Sequence, residues 1–360
     1  MLTNEQIDFL KELVETPMPS GSEEAGALLL GRRIREWTGI QPTIDVHGNL
    51  HAVLDTGAKR TVLLEGHLDE IGYQVAYVDA SGFVYFQAIG GIVAPLAAAE
   101  RLVILTSRGP VNGVIGARPP HNLKPGDRNA LPTDLRDMAC DIGASSRAEA
   151  LELVDIGDPA VAATGWRQLA GTRVSARGFD DRVGAFAMAE ALLQLAAGRE
   201  RLAVNVHFVA SVSEEIGSVG GRTAVHAVNP EIGISCDVAH ATDAPGTEPK
   251  AQGDIALGRG AALATGPIYH KGLLNLFRET GRTAGIPFQN RPVPRGSTNN
   301  GWAVKVERGG AATVQIGIPL RYMHSPVEVV DLADVAAVVD LTAASVTALA
   351  EDFPLLPQQP

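Results

Sequence analysis

Apolar positions recur along this chain in two rhythms, and the change of rhythm divides it. Between Asn4 and Glu15, Ile7, Leu10 and Val14 share one face with Leu13 beside them, the spacing of an amphipathic helix. Residues 16–21, rich in Pro, Ser and Gly, break it. Ser22 stands where an N-cap is expected, before Glu23 and Glu24, and predicts a second helix reaching about Trp37. Residues 43–46 and 50–54 flank His47-Gly48-Asn49, which reads as a hairpin turn. Thr61-Val62-Leu63-Leu64-Glu65 reads as a buried strand that runs out at Gly66-His67-Leu68-Asp69-Glu70.

From about Tyr73 the texture changes. Short β-like runs at 82–86, 102–105 and 113–116 are separated by Gly, Pro and Asn, which predicts a small all-β unit. A polar stretch at 124–137 reads as an excursion from it. After about Gly165 the strand–helix rhythm resumes. A helix is expected over 181–197, a strand over 204–212, a helix near Thr223 and a strand over 232–236. A further helix spans 271–284, with Leu273, Leu274, Phe277 and Thr280 on one face. A strand over 312–318 and a helix over 332–350 complete the chain. The pattern is an α/β domain interrupted by a β-rich insertion, without internal repeats.

Composition narrows the function classes. With 360 residues, 45% hydrophobic and 20% charged, the chain can bury one large core and a second smaller one. No stretch approaches the roughly 20 uninterrupted apolar residues of a membrane span. The N-terminus lacks a basic segment followed by an apolar one, so a cytoplasmic location is expected. Cys140 and Cys236 match neither a disulfide framework nor a zinc-finger spacing and read as small buried residues. The net charge of −11, without a basic stripe, argues against a nucleic-acid partner. Carboxylates gathered to hold cations could supply part of the excess, and solubility the larger part.

The chemistry concentrates at strand ends. The apolar run 204–212 is followed directly by Glu214 and Glu215, then by Ile216-Gly217-Ser218-Val219-Gly220-Gly221. Two charges at the C-terminal end of a buried strand are costly unless compensated, and that edge of an α/β sheet is where ligands bind. The pair therefore suggests a metal or a demanding proton transfer. Four more segments place acids or histidines at comparable positions: His67-Leu68-Asp69, Asp180-Asp181, Asp237 and His324. Each alone has an ordinary reading. Asp180-Asp181 could cap a helix, and Asp237 could cap a turn. Taken together, two histidines and three or four carboxylates suit Zn²⁺ or Co²⁺ better than Ca²⁺ or Mg²⁺. Two metals about 3.5–4 Å apart could share one carboxylate and clamp a water. A carboxylate left over could take the water's proton and pass it to a leaving amine. These considerations leave open which of Glu214 and Glu215 would be the ligand.

The same segments resemble the M42 peptidases, cobalt- or zinc-dependent aminopeptidases. The matching stretches are GHLDEIG at 66–72, GARPPH at 116–121, DIGASS at 141–146, FDDRVG at 179–184, EEIG at 214–217, DVAH at 237–240 and YMHSPVE at 322–328, in family order over nearly the whole chain. The resemblance implies a three-layer, zinc-peptidase-like α/β catalytic domain with a mixed central sheet, built from 1–72 and 168–360. A small PDZ-like or β-barrel assembly domain would be inserted at 73–167. It implies two divalent metal ions per subunit, Zn or Co with Mn tolerated. His67 and Asp237 would hold one, Glu215 and His324 the other, and Asp180 would bridge them. Glu214 would be the general base and then the acid, and Asp69 would orient the His67 ring. The implied reaction removes N-terminal residues from short peptides. The implied partners are those peptides and further copies of the chain, as dimers or a tetrahedral dodecamer, with no nucleic acid and no membrane.

Two other functions compete: an N-acyl amino acid deacylase on the same centre, and a catalytically silent binding or shell protein. Relatives have also been labelled endoglucanases, but glycoside hydrolysis usually relies on two carboxylates without a metal. Asp181 reads as support for the helix start or the bridge. His121 reads as structural, and His240 as either a substrate contact or a turn residue. His47, His51, His207, His226 and His270 read as structural without identifiable partners, and Arg321 and Glu328 as scaffolding around His324. One departure from the family stands out. Its usual Gly-Thr-Asp-Ala-like turn is replaced by Gly296-Ser297-Thr298-Asn299-Asn300-Gly301, so Asn299 stands where Asp is common. An amide cannot offer the same negative charge to a substrate's amino group.

Overall fold

The computed structural model describes residues 1–117, 121, 132–296 and 299–356. Part of the GARPPH stretch, most of the polar excursion at 124–137, and Ser297 and Thr298 of the departing turn lie outside the described residues.

A mixed sheet of 11 strands forms the middle layer. Its centre is parallel: Thr61–His67 lies between Asn205–Ser211 and Ile232–His240, and the last of these pairs with Ala312–Arg321. These are the continuous apolar runs of the sequence, as expected of strands covered on both faces. Leu64, Phe208, Ile234 and Ile316 enter the main core. Their neighbours Leu63 and Val209 point the other way, into a smaller cluster with Ala224, Val225 and Val304. Alternation along each strand thus feeds two helical layers. The hairpin strands Thr43–Ile44 and Leu50–Leu54 flank one side of the centre, and Glu328–Asp331, Arg173–Ala176 and Arg167–Gln168 extend the other.

The helix Phe179–Ala197 is buried around most of its circumference. It lies on Thr61–His67 and is covered by the helices Asn4–Glu15, Glu24–Thr38 and Leu332–Thr347. Gly66 makes that approach possible, since a Cβ there would sit 2.6 Å from the Ala185 backbone nitrogen. Truncating a fully buried side chain in this layer, such as Phe186, costs about 3–5 kcal/mol. The second helix departs from expectation at its start. It begins at Glu24, and Ser22 is not its cap. Glu23 takes the cap position without capping, because its carboxylate accepts from the backbone N–H groups of Gly21 and Ser213, both at 2.9 Å.

The β-rich stretch is a separate closed barrel. Six strands pair in the order Gly72–Val78, Val84–Ile89, Cys140–Asp141, Gly109–Ile115, Arg101–Thr106 and Pro159–Ala162. Val75, Val78, Val84, Phe86, Leu102, Ile104 and Ile115 fill its own core. The short strand Cys140–Asp141 closes the ring, pairing with Val84–Ile89 at Val84 and with Gly109–Ile115 at Val114 and Ile115. Among the described residues, no helix is long and apolar enough to cross a membrane.

Candidate metal centre

Five backbone excursions at one end of the sheet converge. His67 is the last residue of its strand, and Asp237 lies near the end of the neighbouring one. Glu214 and Glu215 follow Asn205–Ser211. Asp180 stands at the head of the buried helix, where Asp180 and Asp181 have non-helical dihedrals and are joined by a cis peptide bond. His324 sits between Ala312–Arg321 and Glu328–Asp331 with φ +59°. Ser213, Ser218 and Tyr322 also have positive φ, so left-handed non-glycine residues gather around this site. Each such residue costs on the order of 1 kcal/mol and persists only where its surroundings hold it. Glu328 does this for the His324 turn, accepting from the His324 N–H at 3.0 Å and the Asp180 N–H at 3.2 Å.

The side chains meet in two groups that share Asp180. One Asp180 oxygen lies 3.4 Å from His67 Nε2, and the other lies 3.4 Å from His324 Nε2. His324 Nε2 is also 3.4 Å from Glu215 Oε2. His67, Asp180 and Asp237 form one set of donors able to hold a metal ion, and Asp180, Glu215 and His324 form another. Glu214 belongs to neither. Its Oε2 stands 4.0 Å from His67 Nε2, and its Oε1 accepts from the Ser218 hydroxyl at 3.1 Å. A cavity of about 500 Å³ opens over all of these groups, within the usual range for small-ligand pockets.

Behind them lies Asp69, fully buried. Its Oδ1 is 3.3 Å from His67 Nδ1. The same carboxylate accepts from the backbone N–H groups of Glu214 at 2.9 Å and Glu215 at 3.1 Å, and from the Ser20 hydroxyl at 2.6 Å. Asp69 thus contacts both the imidazole and the loop that carries the two glutamates. Burial opposes its charge, but contact with His67 and these donors hold its pKa below the usual value.

The electrostatics favour bound cations. Burial, with Asp237 and Glu215 nearby and against the pull of His67, pushes the Glu214 carboxyl up to about 8. Burial and the neighbouring Asp180 push Asp237 up to about 7. Glu215 is also raised, mainly by burial. The histidines shift towards the charged form. His324 rises to about 11 through its contacts with Asp180 and Glu215. His67 rises because contacts with Asp180 and Asp69 outweigh its burial. In water-poor surroundings these carboxylates repel one another and retain protons. Divalent cations among His and carboxylate donors would replace those protons. The donor set therefore fits metal ions.

Several readings of the sequence change here. Arg321 does not support His324; it pairs with Asp243 at 2.6 Å. His51 and His207 do have partners. Their rings approach to 3.0 Å, Nδ1 to Nε2, and His51 Nε2 lies 3.1 Å from Asp45. Asp181 is buried beside the centre, with Oδ1 unpartnered and Oδ2 accepting from the His67 N–H at 3.3 Å. Burial and Asp237 raise its pKa well above the ordinary range. Asn299 donates from Nδ2 to Asp237 Oδ2 at 2.6 Å, an orientation that an acidic side chain could offer only when protonated.

Three contributors escaped the sequence. Glu65 is buried beneath the site and accepts from Ser211, Ser235 and Asn300, which ties three strands and a helix together. Gly91, in the barrel segment, leaves room for His324, whose Nδ1 would lie 2.5 Å from a Cβ there. The adjacent glycines at 90 and 91 were the available signal. Arg291 lines the cavity wall together with the metal-site residues, and nothing in its local sequence marks it.

The sequence profile described as M42 glutamyl aminopeptidase matches residues 48–341. A lysyl aminopeptidase from Pyrococcus furiosus is 33% identical over 340 residues, covering 94% of this chain and 95% of that protein. A TET aminopeptidase from a marine-sediment thaumarchaeon superposes with a TM-score of 0.89 at 28% identity, covering 96% of this chain and 97% of the other. A Pyrococcus horikoshii peptidase, described as assembling into a tetrahedron or a large octahedral shell, superposes with a TM-score of 0.83 at 30% identity, covering 96% and 100%.

Proposed function

This chain belongs to the M42 glutamyl aminopeptidase family, and from that premise we propose that it removes N-terminal residues from short peptides with two divalent metal ions and Glu214 as the proton carrier. The observation that carries this reading is the division of the site. Asp180 offers one oxygen to each histidine, so two donor groups share it, while Glu214 stands within the same cavity but in neither group.

His67 and Asp237 would hold one ion, Glu215 and His324 the other, and Asp180 would be common to both. Zinc or cobalt suits these donors best, and manganese is tolerated. When bound, the ions would polarise the scissile carbonyl and lower the pKa of a water. Glu214 would take the water's proton at its carboxylate and return it to the nitrogen of the departing peptide. Asp69 positions both partners: it fixes the ring of His67 from behind and holds the N–H groups of Glu214 and Glu215. The aminopeptidase domain would comprise 1–72 and 168–360, and the barrel segment 73–167 would serve assembly. Self-association as dimers or a tetrahedral dodecamer is the reading supported by the neighbour described as a tetrahedron.

The test begins from protein stripped with a chelator. Zn²⁺, Co²⁺ or Mn²⁺ is added back in turn, and release is followed of the aniline from a free-amine leucyl anilide and of acetate from an acetylated form, N-acetylleucine. The expected result is metal-dependent cleavage of the free amine alone. Cleavage of the acetylated form alone would establish the deacylase reading, and no stoichiometric metal with no turnover would establish the silent one. The family description says glutamyl and the Pyrococcus furiosus relative is called lysyl, so the preferred N-terminal residue must be sought in this chain's own side chains.

A further inference from the structure

A second chamber of about 340 Å³ adjoins the cavity over the metal centre, and the two share Gly217 and Asn299. Gly217 stands two residues beyond Glu215, and Asn299 touches Asp237, so the opening between the chambers lies at the centre itself. One wall is the helix Asn300–Val306. Asn300 and Val304 of that helix are buried. Asn300 donates to Glu65, and Val304 joins the cluster of Leu63 and Val209. Trp302 and Val306, one turn apart, share another face. They are 40% and 44% exposed, and both line the chamber. The indole packs over Gly296, where a Cβ would lie 3.0 Å from the ring. On the other side, Ser218 lines the chamber while its hydroxyl donates to Glu214 Oε1 at 3.1 Å. Arg222 is the single charged residue of the described lining, and its Nε already donates to Glu307 at 2.6 Å.

Exposed apolar residues scattered singly need no account. Trp302 and Val306 differ because they meet in one concavity that opens on the reactive groups. Covering them there removes apolar surface from water. A charged side chain entering the chamber would lose water where the one guanidinium is already paired. An aromatic ring would gain both from burial and from an offset or edge contact with the indole.

We infer that this chamber receives a large apolar side chain, an aromatic one best, from a residue flanking the scissile bond, and that Trp302 sets the preference. This rests on the aminopeptidase reading and specifies the substrate class of that site. It departs from both the glutamyl and the lysyl descriptions of the relatives. Two substrate groups carry the required chemistry: the side chain of the N-terminal residue, and that of the residue after the scissile bond.

The experiment compares the first cleavage of Ala-Ala-Ala, with Zn²⁺, Co²⁺ or Mn²⁺ supplied, with that of Phe-Ala-Ala and Ala-Phe-Ala. The ring then stands before or after the scissile bond. Glu and Lys at the same two positions supply the charged counterparts. In one position Phe should raise kcat/KM over Ala by about ten-fold or more, and neither Glu nor Lys should match it. Trp302→Ala should bring that ratio close to one, mainly through KM, and Trp302→Phe should keep most of it. Val306→Lys places a cation one turn from the indole, and it should lower the Phe ratio and raise the Glu ratio in the same position. A native protein that gains nothing from Phe in either position, or gains more from Glu or Lys, overturns the inference. So does a Phe ratio unchanged by Trp302→Ala or, where that variant does not fold, by Val306→Lys. If no peptide is cleaved with any metal, the aminopeptidase reading fails, and calorimetry then decides this inference alone. One of the two Phe peptides must bind more tightly than Ala-Ala-Ala to the native protein and not to Trp302→Ala. Equal affinities overturn it.

Discussion

Glu70 and three carboxylates of the candidate metal centre, Glu214, Glu215 and Asp237, shift in opposite directions, although Glu70 is the more deeply buried. Asp180, against burial and held by the two histidines, shifts down as Glu70 does. Glu70 lies between Arg177, at 2.5 Å, and Arg182, with which it also pairs, and it accepts from the Met18 N–H at 3.1 Å. Burial opposes its charge, but the two guanidiniums hold its pKa below the ordinary value. Glu214, Glu215 and Asp237 meet burial and one another without an arginine, and all three rise. Glu70 is three residues from His67, and Arg182 two from Asp180, so the clusters interleave in sequence. Folding separates them by the direction each side chain faces. One is neutralised by the chain itself and holds structure together. The other is left short of positive charge, which suits it to ions and to proton transfer.

The sharpest way to break this comparison is Glu214→Gln. The amide keeps the shape and spares both donor groups but cannot carry the proton. kcat should fall by about 10²–10⁴-fold, with metal content by mass spectrometry or absorption unchanged. Near-native turnover would remove Glu214 from its role. Loss of metal together with activity would instead make it a ligand.

Next come paired substitutions read by urea denaturation without metal. Glu70→Gln strands two buried arginines and should cost about 3–5 kcal/mol. Asp237→Asn removes a carboxylate that burial and Asp180 penalise. One unit of such a shift corresponds to about 1.4 kcal/mol, so at pH 8 the metal-free chain should gain at least about 1 kcal/mol. Metal affinity should fall in the same variant. Equal losses from both substitutions would mean that the two clusters are not different in kind.

The contrast also has a pH signature. Glu214 titrates near 4.5 when unfolded and near 8 in the cation-free fold, and Asp237 moves from 3.8 to about 7. Between these values the folded chain retains protons that the unfolded chain has lost. The contribution of these two groups is therefore full below about pH 4 and is lost as pH rises towards 8, whereas Glu70 and Asp69, held below their ordinary values, lose theirs as pH falls into the acid range. The raised His324 continues the decline, from 6.5 towards about 11. Saturating metal should reverse the trend, adding about 2.7 kcal/mol at a hundred-fold excess over Kd. Melting temperatures from pH 4 to 9, with and without Zn²⁺, measure it. A flat metal-free profile would contradict the assignment of uncompensated charge.

Much of this was legible beforehand, for a physical reason. Strands covered on both faces must be apolar throughout, so the central sheet announced itself, and charged residues where such runs stop marked the site. The direction of individual side chains was not legible. Asp69 and Glu70 are adjacent, yet Asp69 turns to His67 and Glu70 to the arginines, and no periodicity separates them. His51 and His207 meet only because strand register brings them together across 156 positions. Ser22 looked like a cap because the competing demand on Glu23, from the Ser213 N–H, comes from a distant loop. Gly91 supports His324 from another unit of the fold. Contacts of this kind depend on tertiary placement, which local pattern does not encode.

The smallest expected effect tests the seam between the clusters. Ser20 donates its hydroxyl to Asp69 at 2.6 Å, while its backbone N–H bonds the Glu70 carbonyl at 3.2 Å. Ser20→Ala removes only the first of these. Asp69 keeps the N–H groups of Glu214 and Glu215 and the ring of His67. The loss should therefore be that of one buried hydrogen bond, about 1 kcal/mol. Under the positioning role proposed for Asp69, kcat should fall a few-fold, and the metal titration should show weaker binding at the ion that His67 would hold. Ser20→Thr, which restores the hydroxyl, should recover both. An equal stability loss with an unchanged metal titration would place Ser20, and the Asp69 oxygen it touches, on the structural side of the seam with Glu70.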